Sequence, residues 1–124
     1  MKENALVDLS KDFAKQTIFL CREIKVRKIE FTVTNQLLRS GTSIGANIHE
    51  AQYAQSKNDF ISKFEIALKE CYESEYWLEL LFETESIDEQ KYIKMKNDCG
   101  KIRRLLIASC KTVKENISQC KAVK

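Results

Sequence analysis

The chain has 124 residues, 44% of them hydrophobic and 31% charged, with three glycines, no proline and a formal net charge of +3. This balance predicts one compact domain spanning residues 1–124 and excludes intrinsic disorder, which needs lower hydrophobicity or a larger net charge. No apolar run approaches the roughly 18 residues that cross a bilayer, and Met1-Lys2-Glu3-Asn4 lacks the basic-then-apolar layout of a signal peptide, so a cytoplasmic protein without membrane contact is expected.

From Leu6, the residues Leu6, Leu9, Phe13, Leu20 and Ile24 recur at helical spacing, with Lys11, Lys15 and Arg22 opposite them. The first helix should end near Val26, where Lys25, Arg27 and Lys28 suit the negative end of the helix dipole. A second helix, about Thr32 to Ala54, carries Leu37, Gly41, Ile44, Ile48 and Ala51 on one stripe. Its centre, Ser40-Gly41-Thr42-Ser43-Ile44-Gly45-Ala46, forms helix poorly, since each glycine costs about 1 kcal/mol relative to alanine. Close contact with a neighbouring helix would offset that cost; the competing reading is a loop.

Ser56-Lys57-Asn58-Asp59 resembles a capping box and opens a third helix with the stripe Phe60, Phe64, Ala67, Leu68, Cys71, Leu78 and Phe82. A second box, Ser86-Ile87-Asp88-Glu89, opens the fourth helix, whose stripe comprises Tyr92, Met95, Cys99, Ile102, Leu106, Cys110, Val113 and Ile117, with fraying expected after Gln119. Four helices joined by short turns imply an all-α, antiparallel up-down-up-down four-helix bundle.

Some apolar groups fall outside these stripes. Ile66, Trp77, Leu80 and Leu81 on the third helix, and Leu38, Thr42 and Gly45 on the second, suggest a surface covered by another subunit. Leu38, Gly45, Trp77 and Leu81 are the candidate subunit contacts. A broad core or the loops could instead cover some of them.

Charge is divided unevenly: residues 1–30 carry a net +2, 31–55 zero, 56–85 a net −5 and 86–124 a net +6. Lys94, Lys101, Arg104 and Lys111 project opposite the core stripe of the fourth helix. With Lys11, Lys15 and Arg22 they are the candidate nucleic-acid contacts, because clustered cations attract phosphate by releasing counterions. Lysines on a solvated helix face are also the ordinary condition of such helices.

Residues able to perform chemistry are sparse. The five cysteines Cys21, Cys71, Cys99, Cys110 and Cys120 include no C-x-x-C pair and read as reduced, mostly packing thiols rather than a disulfide or zinc framework. His49 is the single histidine, and Ala46 three residues before it removes the Glu-x-x-His pattern of di-iron bundles. An Arg-x(4–6)-His ribonuclease pattern fails too, since Arg39 lies ten positions upstream. No serine elbow, phosphate loop or dinucleotide fingerprint occurs. Glu70, Glu73, Glu75, Glu79 and Glu83 read as a solvated or partner-facing acid face rather than a metal site. Asn47 is expected to bond a neighbouring helix. The expectation is a protein that is not an enzyme and holds no metal or cofactor, with an enzyme centred on His49 a distant third reading.

The stretch from Leu37 to Ala51, with its R-x-x-x-S-I-x-x-N-I-x-E core (Arg39, Ser43, Ile44, Asn47, Ile48, Glu50), is followed by Ser56-Lys57-Asn58-Asp59-Phe60, Ile66-Ala67-Leu68-Lys69-Glu70 and Glu75-Tyr76-Trp77-Leu78. Together these resemble the four helix bundle protein family, also called the 23S rRNA intervening-sequence protein family, from about Phe13 to Asn116. The resemblance implies an antiparallel bundle assembling as a homopentamer in bacteria, without established enzymatic activity. A similar bundle associates with the reverse transcriptase of diversity-generating retroelements and its RNA. The chain departs from the family pattern at His49, where members commonly carry Ala, at Ala51, where many have Gly, and in the neutral Gln52-Tyr53-Ala54-Gln55. Any nucleic-acid contact would therefore lean on the first and fourth helices. The resulting expectation is an oligomeric scaffold that binds RNA or a reverse-transcriptase-like protein through basic patches; the alternative is a protein-only adaptor that docks a basic partner on its acidic third helix.

Overall fold

Apolar residues spaced by three and four organise four helices in the computed structural model, which describes residues 2–26 and 31–123: α1 (Lys2–Val26), α2 (Phe31–Ala51), α3 (Lys57–Glu83) and α4 (Glu89–Val123). At 1.5 Å per residue they are roughly 32 to 52 Å long. Each packs on its two neighbours in the order α1, α2, α3, α4 and back to α1. Contacts across every seam run antiparallel: Ser10 and Thr17 against Gly45 and Gly41, Ser40 and Glu50 against Ser74 and Lys63, Glu65 and Glu75 against Lys114 and Arg103, and Gln16 and Glu23 against Asp98 and Lys91. This is the up-down-up-down four-helix bundle that the periodicity implies. No helix among the described residues is long and apolar enough to cross a membrane.

The predicted stripes form the core as far as Cys110 of α4, whereas Val113 and Ile117 beyond it are only partly buried and lie outside it. Leu6, Phe13, Leu20 and Ile24 of α1 meet Leu37, Ile44, Ile48 and Ala51 of α2, Phe64, Ala67, Cys71 and Leu78 of α3, and Met95, Cys99, Ile102, Leu106 and Cys110 of α4. Phe60, Leu68, Phe82 and Tyr92 are only partly buried and close the edges, with the Phe82 and Tyr92 rings stacked 4.5 Å apart.

The weak centre of α2 is helical, not a loop, and the reason is its contact with α1. A Cβ at Gly41 would lie 2.7 Å from Thr17 Oγ1 and 2.8 Å from Cγ2, while one at Gly45 would come within 3.3 Å of the Ser10 backbone oxygen. Thr17 is fully buried, and its hydroxyl donates to the Phe13 carbonyl at 2.8 Å. The glycines thus let α1 and α2 approach more closely than side chains allow.

Some helix ends depart from expectation. α2 stops at Ala51 rather than Ala54. The first residue of α4 is Glu89, not Ser86: Asp88 is the cap, its Oδ1 accepting from Lys91 N at 2.7 Å. Ser86 instead closes α3, its N–H donating to Leu81 O at 2.8 Å while Glu85 N–H donates to Phe82 O at 3.0 Å. Glu85 adopts a left-handed φ of 59° in this Schellman turn, a position that favours glycine. α4 is helical to Val123. Ser56 does cap α3, accepting from Asp59 N at 3.0 Å, but the Asp59 carboxylate reaches Gln55 N rather than the cap residue's own N–H. Arg27 and Lys28 lie outside the described residues.

Two candidate subunit contacts are corrected by the packing. Leu81, expected off the core, is 1% exposed within its own chain, because it lies on the α2-facing side of α3 next to Leu78. Gly45 faces the Ser10 backbone of α1 and is consumed by that contact.

The close approach yields a test. Gly41→Ala should destabilise the fold by about 1–3 kcal/mol in chemical denaturation, because overpacking against the stiff Thr17 exceeds the helix-propensity gain. Adding Thr17→Ala should recover much of that loss in a double-mutant cycle; simple additivity of the two would contradict the contact.

Candidate nucleic-acid interface

Polar and charged residues follow the seams between helices, and their pairing decides which charge remains available. On the α2–α3 seam, Arg39 donates to Glu70 Oε2 at 2.9 Å and also to Glu73, whose carboxylate accepts in addition from Trp77 Nε1 at 3.1 Å. Beneath this layer the fully buried Ser74 hydroxyl donates to Ser40 Oγ at 2.8 Å. Lys63 pairs with Glu50 at 3.1 Å. Across α3–α4, Arg103 pairs with Glu75 at 2.8 Å and Lys114 with Glu65 at 2.9 Å. Four of the acidic residues of α3 are therefore bound to cations of α2 and α4. Half of the acid block that looks partner-facing in sequence is thus paired within the bundle, while Glu79, Glu83 and Glu85 stay exposed.

The α1–α4 seam is held differently. Gln16 Nε2 donates to Asp12 at 2.8 Å and to Asp98 at 3.0 Å, while Lys94 Nζ donates to Asp98 at 2.9 Å and to Gln16 Oε1 at 3.3 Å. Lys91 pairs with Glu23 at 3.5 Å, nearer the other end. These contacts fix the antiparallel register of α1 on α4.

The seven candidate phosphate contacts are all exposed. Lys94 is the one tied to a carboxylate at ion-pair distance among the described residues, so it is a clasp between helices rather than a free cation. Lys101 lies close enough to Asp98 to add to the field on that carboxyl. With Gln16 opposite Asp98, antiparallel register brings Lys11 and Lys15 level with Lys101 and Arg104. Arg22, its guanidinium 5.7 Å from the Phe19 ring centroid, and Lys111 fall toward opposite ends, about 30 Å apart along the bundle at 1.5 Å per residue. Register therefore sets four of the seven at one level along the bundle axis and the remainder at other levels.

The subunit-contact candidates do not form one patch. Leu38 borders a groove between α1 and α2 with Ile18, Cys21 and Arg22. Trp77 lies on the other side of α2, half-buried against the core edge. Val26 and Tyr53 are the most exposed large apolar groups among the described residues, followed by Phe19, Tyr76, Tyr72 and Ile93.

Sequence reasoning passed over several residues of the charged surface. Arg103 pairs with Glu75 and places its guanidinium 5.3 Å from the Tyr72 ring centroid. Gly100 is buried beneath both neighbouring arginines: a Cβ there would stand 3.3 Å from an Arg104 amine and 3.6 Å from an Arg103 amine. The available signal was a glycine one turn before two consecutive arginines, at the three- and four-residue spacing that brings side chains together on a helix.

The remaining candidates for chemistry are structural. Asn47 donates to Ser43 O in its own helix at 2.8 Å, not to a neighbouring helix. His49 is exposed and meets Tyr53 edge to face at 5.5 Å. Cys21, Cys71, Cys99 and Cys110 are buried. Burial pushes the Cys21 thiol up to about 11, and contact with Cys71 together with burial pushes Cys99 up as well. These are packing thiols rather than nucleophiles. Among the described residues no group of three or more His, Cys, Asp or Glu side chains could hold a metal ion.

Burial alone would raise the Asp98 carboxyl, but hydrogen bonds from Gln16 and Lys94, with the charges of Lys94 and Lys101, outweigh it and hold the group below its ordinary range. A carboxyl depressed in the folded state adds stability above its unfolded value, about 4, and loses that contribution as pH falls through the folded value. Carboxyl NMR titration should therefore give Asp98 a pKa below that of an exposed aspartate, and Lys94→Met should raise it. An ordinary value in the unaltered protein would contradict the clasp.

A protein of unknown function from the S23 ribosomal protein family of Bacteroides thetaiotaomicron VPI-5482 superposes with a TM-score of 0.87 at 50% identity, over 90% of this chain and 99% of that one. No curated protein matches the chain. The model of the 23S rRNA-intervening sequence protein family matches residues 2–108, beginning nearer the N-terminus and stopping sooner than the motif resemblance. With that match spanning most of the sequence, and with the fold shared by a relative half identical to it, the chain belongs to the 23S rRNA-intervening sequence protein family.

Proposed function

We propose that the protein is a non-enzymatic scaffold that self-associates, as a homopentamer by family resemblance, and offers the cationic sides of α1 and α4 to structured RNA or to an RNA-bound protein such as a reverse transcriptase. The observation that carries this reading is the division of charge after internal pairing. Glu65, Glu70, Glu73 and Glu75 of α3 are taken up by Arg39, Arg103 and Lys114. Lys11 and Lys15 on α1, and Lys101 and Arg104 on α4, are exposed at one level along the bundle. Phosphate is the complement of such a surface, and repetition around an oligomer multiplies its field. Exposed Ile66 and the half-buried Leu38 and Trp77 are among the apolar groups offered for subunit contact. For the adaptor reading, the same pairing leaves exposed Glu79 and Glu83 of α3 to meet a basic partner.

One sample tests both halves. Light scattering should return about five times the chain mass, in keeping with the resemblance; a strict monomer would contradict self-association. Titration of the same sample with a structured RNA should give an affinity that falls linearly on a log–log plot against salt. Changing both Lys101 and Arg104 to Glu should reduce that slope by roughly two. A slope unchanged by the double reversal would remove RNA contact from this face.

A further inference from the structure

Apart from Tyr53, the most exposed large apolar groups fall on two outer stripes that the bundle itself leaves bare. On α1 they are Phe19, 62% exposed, and Val26, 83% exposed, with Arg22 between them and its guanidinium 5.7 Å from the Phe19 ring centroid. On α3 they are Tyr72 and Tyr76, 53% and 54% exposed, continued one and two turns farther on by exposed Glu79 and Glu83. The charges of the two stripes are opposite and unspent: among the described residues Arg22 has no carboxylate, and Glu79 and Glu83 have no cation, at ion-pair distance. Glu23, beside Arg22, is held by Lys91. Lys69, the exposed cation nearest the α3 stripe in sequence, lies about 15 Å before Glu79 along the helix.

α1 and α3 occupy opposite corners of the bundle, with no seam between them, and in an up-down-up-down bundle they run in the same direction. Their stripes also share a level. Glu23 of α1 reaches Lys91 of α4, and Phe82 of α3 stacks on the next residue, Tyr92. Arg22 and Glu83, each adjacent in sequence to one of these, therefore stand at one height.

We infer that the Tyr72, Tyr76, Glu79 and Glu83 stripe of α3 docks a second copy of this chain, which covers it with the Phe19, Arg22 and Val26 stripe of its own α1. This deepens the self-association reading above and rests on it. Aromatic and aliphatic surface supplies the burial, while pairing of Arg22 with the glutamates selects the partner and its register. One partner cannot cover opposite corners, so each copy meets one neighbour through α1 and another through α3, a head-to-tail contact that does not stop at a dimer. The shared level lets neighbours stand side by side without an axial step. Lys11 and Lys15 lie one turn or more before Phe19, outside the contact, and stay open to phosphate.

Light scattering of the full chain reads the contact as assembled mass. Glu79→Lys with Glu83→Lys should bring the mass down toward that of a single chain, and Arg22→Glu should do the same, with helical circular dichroism intact because all three positions face solvent. Phe19→Ala and Tyr76→Ala should each weaken association by roughly tenfold. An equimolar mixture of the glutamate-reversed and arginine-reversed variants should regain mass, since every contact between unlike copies again joins opposite charges. Unchanged mass in either reversal, or folded variants whose mixture stays dissociated, would overturn this interface, leaving self-association to another face and the α3 acids to a basic partner of a different kind. An unaltered protein that ends as a closed dimer would overturn it as well. A strictly monomeric unaltered protein would remove the self-association reading and the interface together.

Discussion

The close packing of α2 on α1 at Gly41 and Gly45 is the constraint on which the rest of the bundle depends. Thr17 and Ser10 occupy the space that side chains at these positions would fill, so the contact sets the separation of the two helices and their rotation. With that rotation fixed, Leu37, Ile44 and Ile48 point inward, and Ser40 and Arg39 turn toward α3. Glycine in a helix interior is intrinsically unfavourable, and here its cost is offset by packing that no larger residue permits.

Charge placement follows from this geometry. Once Arg39 faces α3 it meets Glu70 and Glu73, and the opposite side of α3 offers Glu75 and Glu65 to Arg103 and Lys114. Exposed pairs of this kind add little stability individually. Glu70 is the exception in setting, being nearly buried, so its ion pair with Arg39 satisfies a carboxylate that would otherwise be stranded. The wider consequence is for the outer surface: internal pairing takes up half of the acid block, and the exposed cations Lys11, Lys15, Lys101, Arg104 and Lys111 stay outside it.

The fold was legible in the sequence because apolar spacing and caps are local signals. All four helices, the stripes of α1 and α2, and the Ser56 cap are present as read. Leu81 was misplaced because the core stripe of α3 is wider than the residues chosen to define it, and that width depends on how α2 packs against it. The start of α4 was misplaced because Ser86 and Asp88 both look like caps, and only the Schellman turn around Glu85 assigns Ser86 to the preceding helix. The charged surface was less legible. Seven cations on two helix faces are visible in sequence, but the tie between Lys94 and Asp98, the separation of Arg22 from Lys111 and the pairing of Arg39 across a seam are matters of register. The meeting of Tyr72 with Arg103 likewise joins residues 31 positions apart, beyond the reach of any local pattern.

The central claim of the proposed function is that the outward cations of α1 and α4 receive RNA, and lysine-acetylation footprinting with and without a structured RNA tests it most directly. The account predicts that Lys11, Lys15 and Lys101 become protected while Lys57 and Lys63, beside the α2–α3 turn and seam, stay reactive. Protection centred on Lys57 and Lys63, or none at Lys11, Lys15 and Lys101 under conditions where the RNA is bound, would contradict it.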